Sequence, residues 1–245
     1  MIVKKDLNRA KILGVFLDSS RSRRLIQEVS RAIKRGQKLF MTTPNPEFLV
    51  LAYQKSWFKD ILNQADLSIP DGVGLILASW FLQTRPRLGQ RTTGADLVAR
   101  LLRQADENGW RVGVVGARAG DSQQAAVLLT RLQQKYPGAK ISANSLGGDL
   151  VLACQGMGEQ EKWAVQAMSQ AKSGVFIGIG GSLDFLTGFA RRAPAGLRKL
   201  GLEWAWRFVQ RPTRHARRLW RACVVFPWLI LKEKFSASGK LQAAS

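Results

Sequence analysis

Two loops carry residue types able to move a proton and to hold a polar partner. Asp71, in Ile69-Pro70-Asp71-Gly72-Val73-Gly74, is a carboxylate on backbone stiffened by proline on one side and turned sharply by glycine on the other, which suits an acid that must be aimed. Thr43 and Asn45, in Thr42-Thr43-Pro44-Asn45-Pro46-Glu47-Phe48, offer a hydroxyl and an amide, which orient other hydroxyls without taking on charge. Each loop stands where an apolar, strand-like run ends and a helical pattern begins. In a parallel α/β sheet such loops open on one edge, so the three residues can share a crevice. Each also has a plain structural reading. Asp before Gly bonds its own backbone in many turns, and Thr and Asn stabilise proline-bounded turns. An ordinary aspartate, with a pKa of about 3.9, is a weak base in water and a stronger one when partly buried.

Further candidates lie on similar junctions. Arg91 precedes Thr92-Thr93-Gly94 and a helix start; it is either a solvated arginine or a planar pair of donors for a phosphate. Gly113-Val114-Val115-Gly116 and Gly178-Ile179-Gly180-Gly181 each follow a strand, where unblocked amides and a helix N-terminus attract anions. Neither is the dinucleotide-binding fingerprint, and a tight turn is the other reading of Gly116, Gly180 and Gly181. Asp184 either caps the next helix or touches a ligand. Cysteine occurs only at Cys154 and Cys223 and histidine only at His215, with no ligand-like spacing, so zinc and Cys/His nucleophiles are not expected. The lack of an Asp-x-Asp pair favours chemistry without a metal or other cofactor.

The elements that must position these residues alternate. Lys11 to Leu17 reads as a first strand and Ser20 to Arg35 as a helix with apolar Leu25, Ile26, Val29 and Ile33. Strands at Lys38 to Met41, Asp66 to Ile69, Arg111 to Val115, Asp149 to Cys154 and Gly174 to Ile179 are separated by helical patterns at Glu47 to Trp57, Val73 to Phe81, Gly94 to Asn108, Asp121 to Gln134 and through Trp163 and Met168. This predicts an α/β, Rossmann-like parallel-sheet domain over residues 1–195. A basic, aromatic-rich helical appendage is expected over 196–235, and a flexible tail over 236–245.

The chain has 245 residues and a formal net charge of +21, of which 13 Lys/Arg against two acids fall after Ala190. A cationic surface calls for an anionic partner. In the appendage Trp204, Trp206, Phe208, Trp220, Phe226 and Trp228 interleave with arginines. That pattern has three readings: a solvated face with tryptophans packed inward, a nucleic-acid surface, or a membrane surface. No nucleic-acid-binding signature accompanies it, so no nucleic acid is expected. The membrane surface fits best, because Trp settles at headgroup depth and each basic side chain near an anionic leaflet adds about 1 kcal/mol. The ten apolar residues Ala222 to Leu231 are about half of the roughly 20 that span a bilayer, and the short run Ile12 to Leu17 is no export signal.

Read together, these loops, with Arg91-Thr92-Thr93-Gly94-Ala95-Asp96, Gln160-Glu161, Gly178 to Phe185, Arg192-Ala193-Pro194 and Gly201-Leu202-Glu203-Trp204, resemble in order and spacing the WecG/TagA/CpsF family of bacterial glycosyltransferases, from about Ile12 to Arg218. The resemblance implies an inverting transferase that moves a sugar from a UDP-sugar donor to a polyprenyl-diphosphate-linked acceptor in cell-surface polysaccharide or teichoic acid synthesis. N-acetylmannosamine is the best-known sugar of the family; relatives use glucose or N-acetylmannosaminuronic acid. It implies Asp71 as general base with Thr43 and Asn45 at the substrate, Arg91 on the diphosphate, and Arg211, Arg214, Arg217 or Arg218 near the lipid diphosphate. Gln155 to Glu161 resembles the family's Gly-x-Pro-x-Gln-Glu motif, making Gln160 a substrate contact, although Gly158 replaces the proline and Glu159 stands where a basic residue is common. Cytoplasmic, peripheral attachment to the inner face of the cell membrane and homo-oligomers follow from the same resemblance. A catalytically silent membrane adaptor is the rival class.

Overall fold

The computed structural model describes residues 9–19, 22–89, 92–199, 201–210 and 212–242. The described residues open with β1 (Arg9–Ile12) and β2 (Val15–Asp18), which pair antiparallel. The single strand expected over Lys11 to Leu17 is therefore a hairpin. Leu13 and Gly14 both take positive φ, 49° and 80°, the geometry of a two-residue turn that matches strand twist. The hairpin lies outside the main sheet. Arg9 pairs with Asp18 at 3.1 Å, and Asp18 accepts the Ser68 N–H, fastening it to the strand beyond.

The main sheet is all parallel: β3 (Lys38–Thr42), β4 (Leu67–Ser68), β5 (Arg111–Val115), β6 (Lys140–Ala143), β7 (Leu150–Ala153) and β8 (Gly174–Gly178), in spatial order β4-β3-β8-β7-β5-β6. Side chains alternate across it as strand geometry requires. Leu39, Met41, Val112, Val114, Leu150, Leu152, Val175 and Ile177 face one core, while Phe40, Val115, Val151 and Phe176 face another. The first core is covered by α1 (Ser22–Lys34), α5 (Gly94–Asn108), α6 (Ser122–Lys135) and α8 (Ser182–Leu186), the second by α7 (Glu159–Gln170) with α3 (Ser56–Gln64) beside it. Helices on both faces of a parallel sheet make the Rossmann-like α/β fold that the alternation predicts.

Strand β6 has no counterpart in the sequence reading. It returns to β7 by residues 144–149 alone, which pass over β5: a Cβ on Gly113 would lie 2.1 Å from the Ser145 carbonyl oxygen, and one on Gly148 3.0 Å from the Gly113 nitrogen. Two bare glycines make room for a crossover too short to contain a helix. The helix expected from Glu47 to Trp57 is likewise two helices, α2 (Pro46–Gln54) and α3, broken at Lys55, whose φ of −132° and ψ of 107° are extended.

A further core unites the hairpin, α2, α3, α4 (Val73–Leu82) and the C-terminal helix α12 (Phe226–Gln242). Phe226, Leu229 and Ile230 of α12 are buried in it, and the Glu233 carboxylate accepts the Leu13 N–H at 3.0–3.1 Å. Between the sheet domain and α12 run α9 (Ala195–Lys199), α10 (Glu203–Gln210), α11 (Pro212–Trp220) and a π-helical turn, Arg221–Val225. The segment expected as a tail continues α12 to Gln242. Among the described residues no helix is long and apolar enough to cross a membrane.

Candidate active site

The carboxyl ends of β4, β3 and β8 are adjacent, and their loops interlock. The Asp71 N–H donates to the Pro44 carbonyl at 2.7 Å. A Cβ on Gly74 would lie 2.9 Å from Pro46 Cγ, and one on Gly72, at a φ of 120°, 3.4 Å from Pro46 Cδ. Glycine at 72 and 74 thus lets the second loop close on the proline of the first, with Asp71 half-buried at the seam. Helix α5 begins at the same place. A Cβ on Gly94 would stand 3.3 Å from Asp71 Oδ2, 3.7 Å from Thr43 Oγ1 and 3.8 Å from Ser182 Oγ. One carboxylate and two hydroxyls from three parts of the chain therefore converge where a helix N-terminus has no side chain.

Thr43 is buried and its hydroxyl donates to the Gly178 carbonyl at 3.5 Å, the long limit of such a bond. Asn45 is the N-cap of α2: its Oδ1 accepts the Phe48 N–H at 3.1 Å. The cap fixes the start of α2 and commits the Asn45 side-chain carbonyl oxygen to it. Ser182 follows Gly180-Gly181, and Gly181 precedes α8.

Beneath these loops Gln160 and Glu161 form a buried lattice. Gln160 Oε1 accepts the Gly180 N–H at 2.8 Å, its Nε2 donates to Glu161 Oε1 at 2.6 Å, and Glu161 Oε2 accepts the Gly158 N–H at 2.7 Å. A Cβ on Gly178 would lie 2.6 Å from Glu161 Oε1. Gln160 thus fixes the position of the Gly180 loop from below. Burial raises the Glu161 carboxyl to about 7, against an ordinary value of 4.5, although the Gln160 and Gly158 donors pull the other way. The folded state then holds a proton that the unfolded chain releases, so this contribution to stability is present below about pH 4.5 and lost as pH rises through about 7. We expect the melting temperature of the wild type to fall across that window relative to Glu161→Gln, by the equivalent of about 3 kcal/mol at most. Parallel melting curves of the two proteins against pH would show that Glu161 folds ionised.

Farther along the edge, Gly116 takes a φ of 69°, and a Cβ there would lie 2.5 Å from Gln155 Cγ, so the β5 and β7 loops touch. Arg118 pairs with Asp184 at 3.3 Å and stacks over Phe189 at 4.1 Å. Asp184 therefore joins two edge loops and does not cap α8. Arg192 draws another pair together: it contacts Asp96 at 2.7 Å, Glu203 at 3.3 Å and the Thr93 hydroxyl at 3.2 Å, tying the start of α5 to α10. The ion pair and the Thr93 hydroxyl hold the Asp96 carboxyl below the usual range despite its partial burial.

The appendage closes over the first loop through Glu47. Its carboxylate is buried, and receives Arg218 at 2.7 Å and Arg221 at 3.7 Å. Arg218 is thus brought to the first turn of α2, while Arg217 is exposed on α11. Arg91 and Arg211, and the side chain of Arg214, lie outside the described residues. Glu47, Ser182 and Arg192 were not picked out as site residues in the sequence; each sits in a quoted motif, but its partners come from distant segments.

The description "Glycosyl transferase WecG/TagA/CpsF family" matches residues 10–240. The chain belongs to this family. Among similar members is a Staphylococcus aureus (strain MRSA252) protein named N-acetylglucosaminyldiphosphoundecaprenol N-acetyl-beta-D-mannosaminyltransferase, 30% identical over 229 residues that cover 84% of this chain and 87% of the relative. A second, from Staphylococcus aureus (strain MW2) and bearing the same name, is 29% identical over 254 residues, covering 96% of this chain and 97% of the relative. The interlocked loops, the Gly94 crevice and the Glu47 latch all lie within the matched residues, so they are features of a WecG/TagA/CpsF glycosyltransferase.

Proposed function

We propose that the chain is an inverting hexosyltransferase that moves N-acetylmannosamine or a related hexose from a UDP-sugar to a sugar on polyprenyl diphosphate. The observation that carries this reading is the approach of Asp71, Thr43 and Ser182 around Gly94 at the carboxyl edge of the sheet, where α/β folds bind ligands. Asp71 takes the proton of the acceptor hydroxyl as its oxygen attacks the anomeric carbon from the face opposite the donor; the bond to UDP breaks and its electron pair leaves on the diphosphate. Thr43 and Asn45 orient sugar hydroxyls. The diphosphate is neutralised by Arg91 and by the loop that carries Gly180 and Gly181, where the Gly180 amide is already held by Gln160 and the Gly181 amide is the one offered to it, with Gly116 farther out. Gly116 follows β5, three strand spacings from β3, or roughly 14 Å from the Thr43 end of the site, a separation suited to an extended nucleotide-linked sugar. The acceptor is supported by the relatives, whose name gives a diphosphoundecaprenol-linked sugar. Arg217 and Arg218 face that lipid diphosphate from the appendage, with the protein attached to the inner face of the membrane.

The test is a panel of UDP-sugars against a polyprenyl-diphosphate-linked acceptor. UDP release that depends on the acceptor, with inversion in the product, is the expected result. Release from no UDP-sugar would leave the membrane adaptor as the better reading. Turnover should also survive EDTA, since the sequence has no Asp-x-Asp pair and assigns the diphosphate to arginine and amides. Complete loss in chelator, restored by magnesium or manganese, would assign a metal to the diphosphate instead.

A further inference from the structure

We propose that helix α4 of the sheet domain, together with α12, forms the surface that enters the membrane, so that the Asp71 loop is held at headgroup level. The purpose of this surface rests on the lipid-linked acceptor proposed above; its existence can be measured without it.

The two helices lie side by side and run the same way. A Cβ on Gly74, in the first turn of α4, would lie 3.8 Å from the Phe226 ring, the first residue of α12. Seven residues on, Phe81 lies 6.0 Å from Lys234 Nζ, eight residues into α12. Both helices turn one face inward: Leu75 and Ala78 from α4, and Phe226, Leu229 and Ile230 from α12, are buried in their common core. The outward faces are also apolar. Leu77, Trp80 and Phe81 recur at helical spacing on α4 and are 63%, 56% and 46% exposed; Trp228, Leu231 and Phe235 do the same on α12 at 59%, 45% and 69%. Six large apolar side chains on two parallel ridges form a patch that a water-facing surface does not need.

The rim decides the occupant. Arg87 stacks on Trp80 at 4.9 Å, Lys232 on Trp228 at 5.6 Å, and Lys234 reaches Phe81. Helix α4 contains no charged residue, and the single acid of α12, Glu233, is turned inward to the Leu13 N–H. An apolar patch flanked by these three cations complements an anionic bilayer: aromatic rings enter the interface while the cations meet phosphate. Two copies meeting through this face in isologous fashion would oppose like charges at the rim. Because Asp71 lies two residues before the first turn of α4, insertion of this ridge presents the catalytic loop to a head group still embedded in the leaflet.

The experiment compares the full-length protein with Trp80→Ser/Phe81→Ser by flotation on phosphatidylglycerol vesicles, with thermal melting and size-exclusion chromatography alongside. Both positions are substantially exposed, so the variant is expected to melt near the wild type. Vesicle binding about tenfold weaker, with elution unchanged, is the expected result. If the variant fails to fold, Leu77→Ser alone, at the most exposed α4 position, is expected to weaken binding severalfold. Binding equal to wild type in a folded variant overturns the proposal, and so does a loss of self-association with vesicle binding retained, which would make the face a contact between copies. Transfer to a short-chain, water-soluble acceptor is the separate control. If neither protein transfers sugar and the α4 variant still loses the vesicles, the transferase reading fails and the surface stands.

Discussion

Asp71→Asn is expected to lower sugar transfer by about 10²-fold or more while leaving the fold and UDP binding intact. Asparagine matches aspartate in size, and the backbone bond from residue 71 to the Pro44 carbonyl does not depend on the side chain. The packing of Pro46 against Gly72 and Gly74 is equally unaffected. What changes is the capacity of the Oδ2 position beside Gly94 to accept a proton. If Asp71 only shaped its turn, asparagine would serve nearly as well, because it makes the same local bonds. Steady-state transfer, a thermal melt and UDP binding, measured together, separate the cases. A stable, UDP-binding variant with near-normal turnover would remove Asp71 from the mechanism.

Features that depend on local pattern were legible in the sequence. The limits of α5 and β5 were read directly, because Thr93 and Gly109 cap a strongly periodic helix and β5 is a short apolar run. The meeting of Thr43 with Asp71 followed from one rule of parallel sheets, that strand ends open on the same edge. Where tertiary contacts override local pattern, the reading failed. After Lys11 the run to Leu17 has no polar side chain, and only Gly14 marks the turn that makes it a hairpin. Strand β6 lies at the sheet edge, largely exposed, with the sequence Lys-Ile-Ser-Ala; neither alternation nor an apolar run announces it. The bonds that hold Gln160, expected at the substrate, to the amide of Gly180 and the carboxylate of Glu161 are likewise not announced by local sequence. Glu47 reads in sequence as an acid in the first turn of a helix, favoured there by the helix dipole. Its partners Arg218 and Arg221 are 171 residues or more away, a pairing visible only once the appendage is docked.

That docking sets the second large expectation: deleting residues 197–245 should abolish transfer and lower the melting temperature by on the order of 10 °C. The appendage is more than a detachable anchor. Phe226, Leu229 and Ile230 complete a core whose other walls are α2, α4 and the hairpin, and burying such side chains contributes about 1.5–3 kcal/mol each as an upper estimate. Deletion also bares the Leu13 N–H now bonded to Glu233, and leaves the buried Glu47 carboxylate without either arginine. Against a total stability of about 5–15 kcal/mol, the combined loss is large. Glu47→Gln separates the two effects. It keeps the apolar contacts, and Arg218 is half-exposed, so water replaces much of what the ion pair gave and the melt should move little. If the pair holds Arg218 at the acceptor, transfer to the lipid-linked sugar still falls, with the Michaelis constant for the acceptor rising and that for the donor unchanged. A deletion protein that melts like the wild type would show the appendage to be independent of the core; a Glu47→Gln enzyme with unaltered acceptor kinetics would reduce the latch to a surface contact.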